Sequence, residues 1–332
     1  MTRAAVLGVG SHAPTRIVTN HELAGMMETT DEWIVQRTGI RERRFIEHDG
    51  IGASDLALPA CRAALEHAQV EPDEIDAIIF ATLSPDYFVP GSGCLLQRKL
   101  GLGPVPALDV RNQCAGFLYG LSIANSWVRS GAYQKVLLVG AEVQSTGLDL
   151  STSGRDVAVL FGDGAGAVVV GRALDDQRGV LSVCLHADGA GAQQLWIEAP
   201  ASRHTPRLTP DMLDEGRHYP KMNGRQVFRW AVEKMPEAAF EALELAGLEV
   251  KDVDLLVPHQ ANRRISEMVA ARIHLAAEQV VHNIEDYGNT TAATIPMALD
   301  RAFQDGRIQS GTTVLMTTFG SGFTWGGAVV RF

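Results

Sequence analysis

Cysteine is sparse in this 332-residue chain, and what there is lies scattered. Cys61, Cys94, Cys114 and Cys184 form no Cys-x-x-Cys pair, which argues against a zinc site and against a disulfide framework. No apolar run approaches the ~18–20 consecutive residues that a membrane span needs. Positive charge is in deficit: 29 lysines and arginines stand against 39 aspartates and glutamates, a formal net charge of −10. Broad nucleic-acid binding is therefore not expected, and an acidic partner would need a local basic patch. Repetitive, linker-like and low-complexity tracts are missing too. Met1 to Gly10 runs straight into a strand pattern with no small-residue cleavage site behind a long apolar core, so a cytoplasmic location is expected.

The composition that remains, 46% hydrophobic and 20% charged, is that of a globular protein long enough for two ordinary domains or one large duplicated one. The chain repeats itself. Residues 65–79 resemble residues 243–257 without a gap, Asp254 standing 178 positions beyond Asp76. Each copy reads as a helix end, an acidic turn and a buried strand. A looser echo sets Phe161-Gly162-Asp163-Gly164 against Phe319-Gly320-Ser321-Gly322. In both, the glycines lead into an apolar strand rather than a helix, which weakens a phosphate-loop reading. Gly8-Val9-Gly10 is no dinucleotide fingerprint either: the third glycine is missing and Pro14 interrupts the next helix. Two related α/β halves, residues 1–178 and 179–332, packed around sheets buried on both faces, are the simplest account. Residues 187–221, rich in glycine, proline and charge, read as a covering loop with little regular structure.

Chemistry gathers at residues 107–120. A short apolar run ends at Val110, Arg111-Asn112-Gln113 makes a polar turn, and after Cys114 the apolar residues Phe117, Leu118, Leu121 and Ala124 recur at helical spacing. Cys114 thus falls in the first turn of a helix, where the helix dipole and unpaired amides favour thiolate over thiol. Three other stretches carry candidate groups. Trp33 and Arg37 share a helix face within residues 20–41, where Asn20 reads as the N-cap; they are either an ordinary surface pair or a platform for a flat base. His259 follows a strand that ends at Val257, a place where histidine is more often a structural hydrogen-bonder. Asn289 lies in a glycine-flanked turn before a helix of small residues, where an asparagine alone would be a turn or cap residue.

These motifs occur in one order: Asp31-Glu32-Trp33-Ile34, Arg37-Thr38-Gly39-Ile40-Arg41, Cys114-Ala115-Gly116-Phe117, Phe161-Gly162-Asp163-Gly164-Ala165-Gly166-Ala167, Pro258-His259-Gln260-Ala261-Asn262 and Gly288-Asn289-Thr290. In that order, end to end, the chain resembles β-ketoacyl-[acyl-carrier-protein] synthase III, the initiating condensing enzyme of the thiolase superfamily. The resemblance implies a thiolase-like, duplicated five-layer αβαβα sandwich, usually a homodimer. It implies transfer of an acyl group from acyl-coenzyme A to Cys114, then decarboxylative condensation with malonyl-[acyl-carrier protein] to initiate fatty acid synthesis, without a cofactor or metal. His259 and Asn289 would hold the enolate oxygen, and the amides of Cys114 and Ser321 the oxyanion. Trp33, Arg37 and Arg155 would bind the nucleotide end of coenzyme A, and Asn262 its pantetheine arm.

The chain departs from its relatives in two places. Ser321 replaces a usual glycine, and Asn112-Gln113 replaces small residues ahead of the nucleophile. Phe319 and Val89 are expected at the acyl pocket, Val89 reaching across the dimer where a phenylalanine restricts relatives to very short primers; medium or branched primers follow. Arg225 and Arg229 share one helix face, and Arg264 and Arg272 another; Arg229, Arg264 and Arg272 are candidates for docking the acidic carrier protein. The alternative activity is a related condensation in a secondary pathway (polyketide, quinolone or head-to-head) with a longer primer. A scaffold subunit without activity would have lost Cys114, His259 or Asn289, and all three are present.

Overall fold

The computed structural model describes residues 3–332 except 174 and 176. Segments such as Ala77–Ala81 and Lys135–Glu142 have no polar face to turn to water, and strands of that kind persist only when covered on both sides. They lie in a five-stranded sheet whose spatial order is Ala4–His12, Gly164–Arg172, Lys135–Glu142, Ala77–Ala81 and Ala107–Val110. Gly164–Arg172 is antiparallel to both of its neighbours, and the last two strands join in parallel. A second sheet runs Gly179–Ala187, Thr324–Arg331, Thr313–Gly320 and Leu255–Pro258, with the same sequence of antiparallel and parallel joints. Ala77–Ala81 and Leu255–Pro258, the strands that end the two sequence repeats, occupy the same place in their sheets.

Helices fill the remaining layers. Gly116–Ser130 and Thr294–Gln304 lie between the sheets and share one core with residues of both, including Ile79, Leu138, Val257 and Met316. Ala53–Ala68 covers the outer face of the first sheet, and Gly224–Ala246 with Arg263–Arg272 that of the second. The five layers are α, β, α, β, α. Gly8 and Gly10 find their reason here: a Cβ on either would come 2.4 Å from a backbone nitrogen of the Ala53–Ala68 helix. Close helix-to-sheet packing is what those glycines permit.

Two local expectations change. Thr19, not Asn20, caps the helix that begins at Asn20, its side chain accepting from the Glu22 amide. The Asn20 side chain is buried instead, donating to the Ile40 carbonyl and accepting from the guanidinium of fully buried Arg43, both at 2.8 Å. Residues 187–221 also carry more order than expected: Leu195–Trp196 pairs with Lys221–Met222, and Pro210–Asp214 is a short helix. Among the described residues no helix is long and apolar enough to cross a membrane.

Candidate active site

Cys114, His259 and Asn289 come from three segments far apart in sequence and meet on one cavity of about 390 Å³, which Trp33, Arg37 and Arg264 also line. Each is placed by backbone. Cys114 sits in a 3₁₀ turn, Gln113–Ala115, that hands over to the Gly116–Ser130 helix. Its carbonyl accepts from Thr318 Oγ1 at 2.9 Å, tying the turn to the second sheet. Gly320 lies against it, where a Cβ would stand 2.9 Å from Cys114 Cβ. Any larger residue at 320 would push the nucleophile out of place. His259 continues the strand Leu255–Pro258, its amide donating to the Thr317 carbonyl at 2.8 Å. Asn289 is held by its amide on the Leu160 carbonyl and by its own carbonyl on the Gly162 amide.

The side-chain bonds decide which atoms face the cavity. Asn289 Oδ1 accepts from the Thr291 amide at 2.9 Å, so the amide nitrogen, a donor only, is the end left over. His259 Nδ1 contacts Thr294 Oγ1 at 2.7 Å, while Nε2 is buried without a partner among the described residues. Thr294 Oγ1 also lies 3.0 Å from the Thr291 carbonyl. Its single proton can serve only one of these two acceptors, and that choice fixes the imidazole tautomer. If the proton goes to Nδ1, the shorter contact, Nε2 carries a hydrogen and faces the cavity as a donor.

Burial sets the charges. It pushes the His259 imidazole down to about 3, so the ring is neutral at physiological pH. It pushes the Cys114 thiol up to about 12, and the nearby Glu142 carboxylate adds to the rise. The thiolate expected from the helix terminus is therefore reversed in the closed site: desolvation of the sulfur outweighs the helix end. Glu142 itself, fully buried, accepts from Thr82 Oγ1, Ser84 Oγ and the Leu83 and Ser84 amides. Thr294 and Glu142 escaped the sequence reading. The threonines of Thr290-Thr291-Ala292-Ala293-Thr294 were the available signal.

The other expected residues divide. Trp33 lines the cavity mouth with both Arg37 and Arg155 guanidinium carbons near its ring, at 4.5 and 5.0 Å from the centroid. At that spacing a base reaches the Trp33–Arg37 gap only by displacing the guanidinium. Arg155 also donates to the Glu28 carbonyl at 2.7 Å. Asn262 lines the cavity, yet both ends of its side chain are used: Nδ2 donates to the Arg37 carbonyl and Oδ1 caps the Arg263–Arg272 helix. Phe319 lines the same cavity as Cys114, whereas Val89 is 79% exposed and lines neither cavity that Cys114 shares. Arg264 is at the mouth, its guanidinium over Phe228. Arg229 is exposed, and Arg272 donates to the Val232 carbonyl at 2.6 Å. Cys114 also lines a second cavity of about 240 Å³, which Ser321 shares.

One cluster of three potential metal ligands occurs among the described residues, Cys184, His186 and Glu241. His186 Nε2 is already paired with Glu241 at 2.6 Å and Cys184 Sγ with the Ala238 carbonyl at 3.3 Å, and none of the three lines the cavities described above.

Residues 108–189 match the family model for 3-oxoacyl-[acyl-carrier-protein] synthase III, and residues 243–332 match the model for its C-terminal part. The chain is 44% identical over 332 residues to the β-ketoacyl-[acyl-carrier-protein] synthase III of Rhizorhabdus wittichii, covering 100% of both chains. Among solved structures, that of the Thermus thermophilus β-ketoacyl-[acyl-carrier-protein] synthase III superposes with a TM-score of 0.91 at 41% identity, covering 99% of each chain. The priming β-ketosynthase of the R1128 polyketide pathway superposes at 0.90 with 38% identity, covering 99% of this chain and 96% of that one.

Proposed function

The chain belongs to the 3-oxoacyl-[acyl-carrier-protein] synthase III family of condensing acyltransferases, and from that premise we propose how its own residues run the reaction. Cys114 sulfur attacks the carbonyl of an acyl-coenzyme A thioester, the coenzyme thiol leaves with the proton, and the acyl group stays on the enzyme. Malonyl-[acyl-carrier protein] then enters the emptied cavity and loses carbon dioxide. Its enolate oxygen is held by His259 Nε2–H and the Asn289 amide, two neutral donors on buried residues, where such bonds count most. The nucleophilic carbon attacks the acyl carbonyl, Cys114 departs as thiolate and takes up a proton from solvent to return to the thiol, and a 3-oxoacyl thioester leaves on the carrier. The observation that carries this reading is the convergence of Cys114, Nε2 of His259 and the amide of Asn289 on one cavity. The test is the carrier protein's mass after incubation with acyl-coenzyme A. A 3-oxoacyl increment is expected only when acyl-coenzyme A, malonyl-carrier and enzyme are all present; an increment without acyl-coenzyme A would refute the order of steps.

The donor role of Nε2 needs the hydroxyl proton of Thr294 on Nδ1. Thr294→Val removes that proton at nearly unchanged volume and should cut condensation by about ten-fold, the scale of one lost hydrogen bond. Acylation of Cys114 stays measurable, and Thr294→Ser restores condensation. ¹⁵N shifts of the imidazole report the tautomer directly. Wild-type condensation by the valine variant would remove Thr294 from the mechanism.

The exposed run Tyr87-Phe88-Val89, at 62, 65 and 79% exposure, is the kind of apolar surface that a second copy covers, in keeping with the homodimer and the role of Val89 at a partner's acyl pocket. Carrier docking falls to the arginines outside the mouth. Arg229 is the one to test, because Arg264 also lines the cavity and Arg272 is bonded to Val232. Arg229→Glu should raise KM for malonyl-carrier protein and leave KM for acyl-coenzyme A unchanged. The difference should shrink as the Debye length falls from ~10 Å at 0.1 M salt to ~3 Å at 1 M. Equal shifts in both constants would place docking elsewhere. A second reading, priming of a polyketide-type pathway, draws support from the R1128 enzyme and differs in the primer.

A further inference from the structure

Arg111 and Gln113, from the Arg111-Asn112-Gln113 turn, form part of the second cavity that Cys114 shares, together with Gln144. Phe161, Ile197 and Pro220 supply apolar wall. Gln113 holds a left-handed backbone, φ +43°, a conformation that a side chain of this kind adopts at a cost. Arg111 is the sole charged side chain lining this cavity, and neither it nor the Gln113 amide has a side-chain hydrogen bond or ion pair among the described residues. Glu142 does not line the cavity and is engaged with five protein donors, Thr82 Oγ1, Ser84 Oγ, the Leu83 and Ser84 amides and Gln144 Nε2. Gln144 Nε2 is taken up by Thr291 Oγ1 at 3.3 Å and by Glu142 at 3.4 Å, so Gln144 offers no free donor to a ligand. Arg111 is exposed to solvent and Gln113 partly buried; a carboxylate at the far end of the acyl chain would pair with the guanidinium and accept from the Gln113 amide together.

We propose that this enzyme accepts short acyl thioesters with a carboxylate at the far end, the monothioesters of dicarboxylic acids, with Arg111 and Gln113 binding that carboxylate while Cys114 takes the acyl carbon. The inference rests on the proposed acylation of Cys114 and adds the primer class. The acyl transfer is the one already described; the distal carboxylate stays ionised and takes no part in bond making.

The test is competition. The enzyme is mixed with equal concentrations of succinyl- or glutaryl-coenzyme A and butyryl-coenzyme A, and the peptide containing Cys114 is weighed. The dicarboxylic group should dominate the increment. Arg111→Gln should lower the ratio of succinyl to butyryl loading by about ten- to a hundred-fold, the scale for losing a hydrogen bond to a charged group. Arg111→Lys should keep part of the preference, and Gln113→Ala should lower it by less than Arg111→Gln. Butyryl loading that equals or exceeds succinyl loading in the wild type overturns the inference while leaving acylation of Cys114 standing. An unchanged ratio in Arg111→Gln overturns it too. Loading of no thioester at all would overturn the reading beneath it as well.

Discussion

Cys114→Ala is expected to abolish acyl transfer outright, because no other sulfur in the chain can take its place. Cys61 is fully buried in the Ala53–Ala68 helix, and burial raises its thiol far above the ordinary range. Cys184 is buried and bonded to the Ala238 carbonyl. Cys94 is exposed, yet it lines neither cavity. The substitution is small and buried, so its cost in folding stays modest, and thermal melting separates loss of chemistry from loss of fold. Intact mass after incubation with acyl-coenzyme A should show no increment above that of untreated protein. An increment of one acyl group on the alanine variant would move the nucleophile elsewhere.

His259→Ala and Asn289→Ala should separate the two half-reactions. Each removes one neutral donor from the enolate oxygen, and losing such a donor typically costs ~10²–10³ in rate. Acylation of Cys114 should remain measurable in both, since the sulfur and the amides around it stay in place. The two variants differ in what else they disturb. Asn289 Oδ1 holds the Thr291 amide, so Asn289→Asp is the sharper probe: it keeps an acceptor for that bond and turns the cavity-facing donor into an oxygen. His259→Ala leaves Thr294 free to bond only to the Thr291 carbonyl. Release of labelled carbon dioxide from malonyl-carrier protein, measured beside acylation, reads the division. Unchanged decarboxylation in Asn289→Asp would contradict it.

How much of this was legible in the sequence depended on how local the cause was. Cys114, His259 and Asn289 each stand at a junction that the sequence marks by itself, with an apolar run on one side and a turn or helix pattern on the other. The two-sheet fold was legible through the residue 65–79 and 243–257 repeat, because the same buried strand must end each copy. Thr294 and Glu142 were not, because their partners lie 35 and about 60 residues away. The thiolate expectation failed for the same reason: a helix terminus is a local feature, whereas the burial that raises the Cys114 thiol is made by the Thr313–Gly320 strand and the rest of the fold. Asn20 was read as a cap from its position before a helix, but its side chain is drawn inward by Arg43, a charge whose burial no periodicity announced. Asn112-Gln113, visible only as an oddity of sequence, took on meaning once the second cavity showed where Gln113 and Arg111 lie.

The central claim is that an acyl group is parked on Cys114 and then handed to a malonyl-derived carbon. It is tested most directly by one time course on the wild-type enzyme, in which the peptide containing Cys114 is weighed after acyl-coenzyme A is added and again after malonyl-carrier protein follows. The acyl increment should appear on that peptide in the first step and vanish in the second, as the 3-oxoacyl increment appears on the carrier. An increment that never forms on Cys114, or one that persists while the carrier gains its 3-oxoacyl group, would contradict the account.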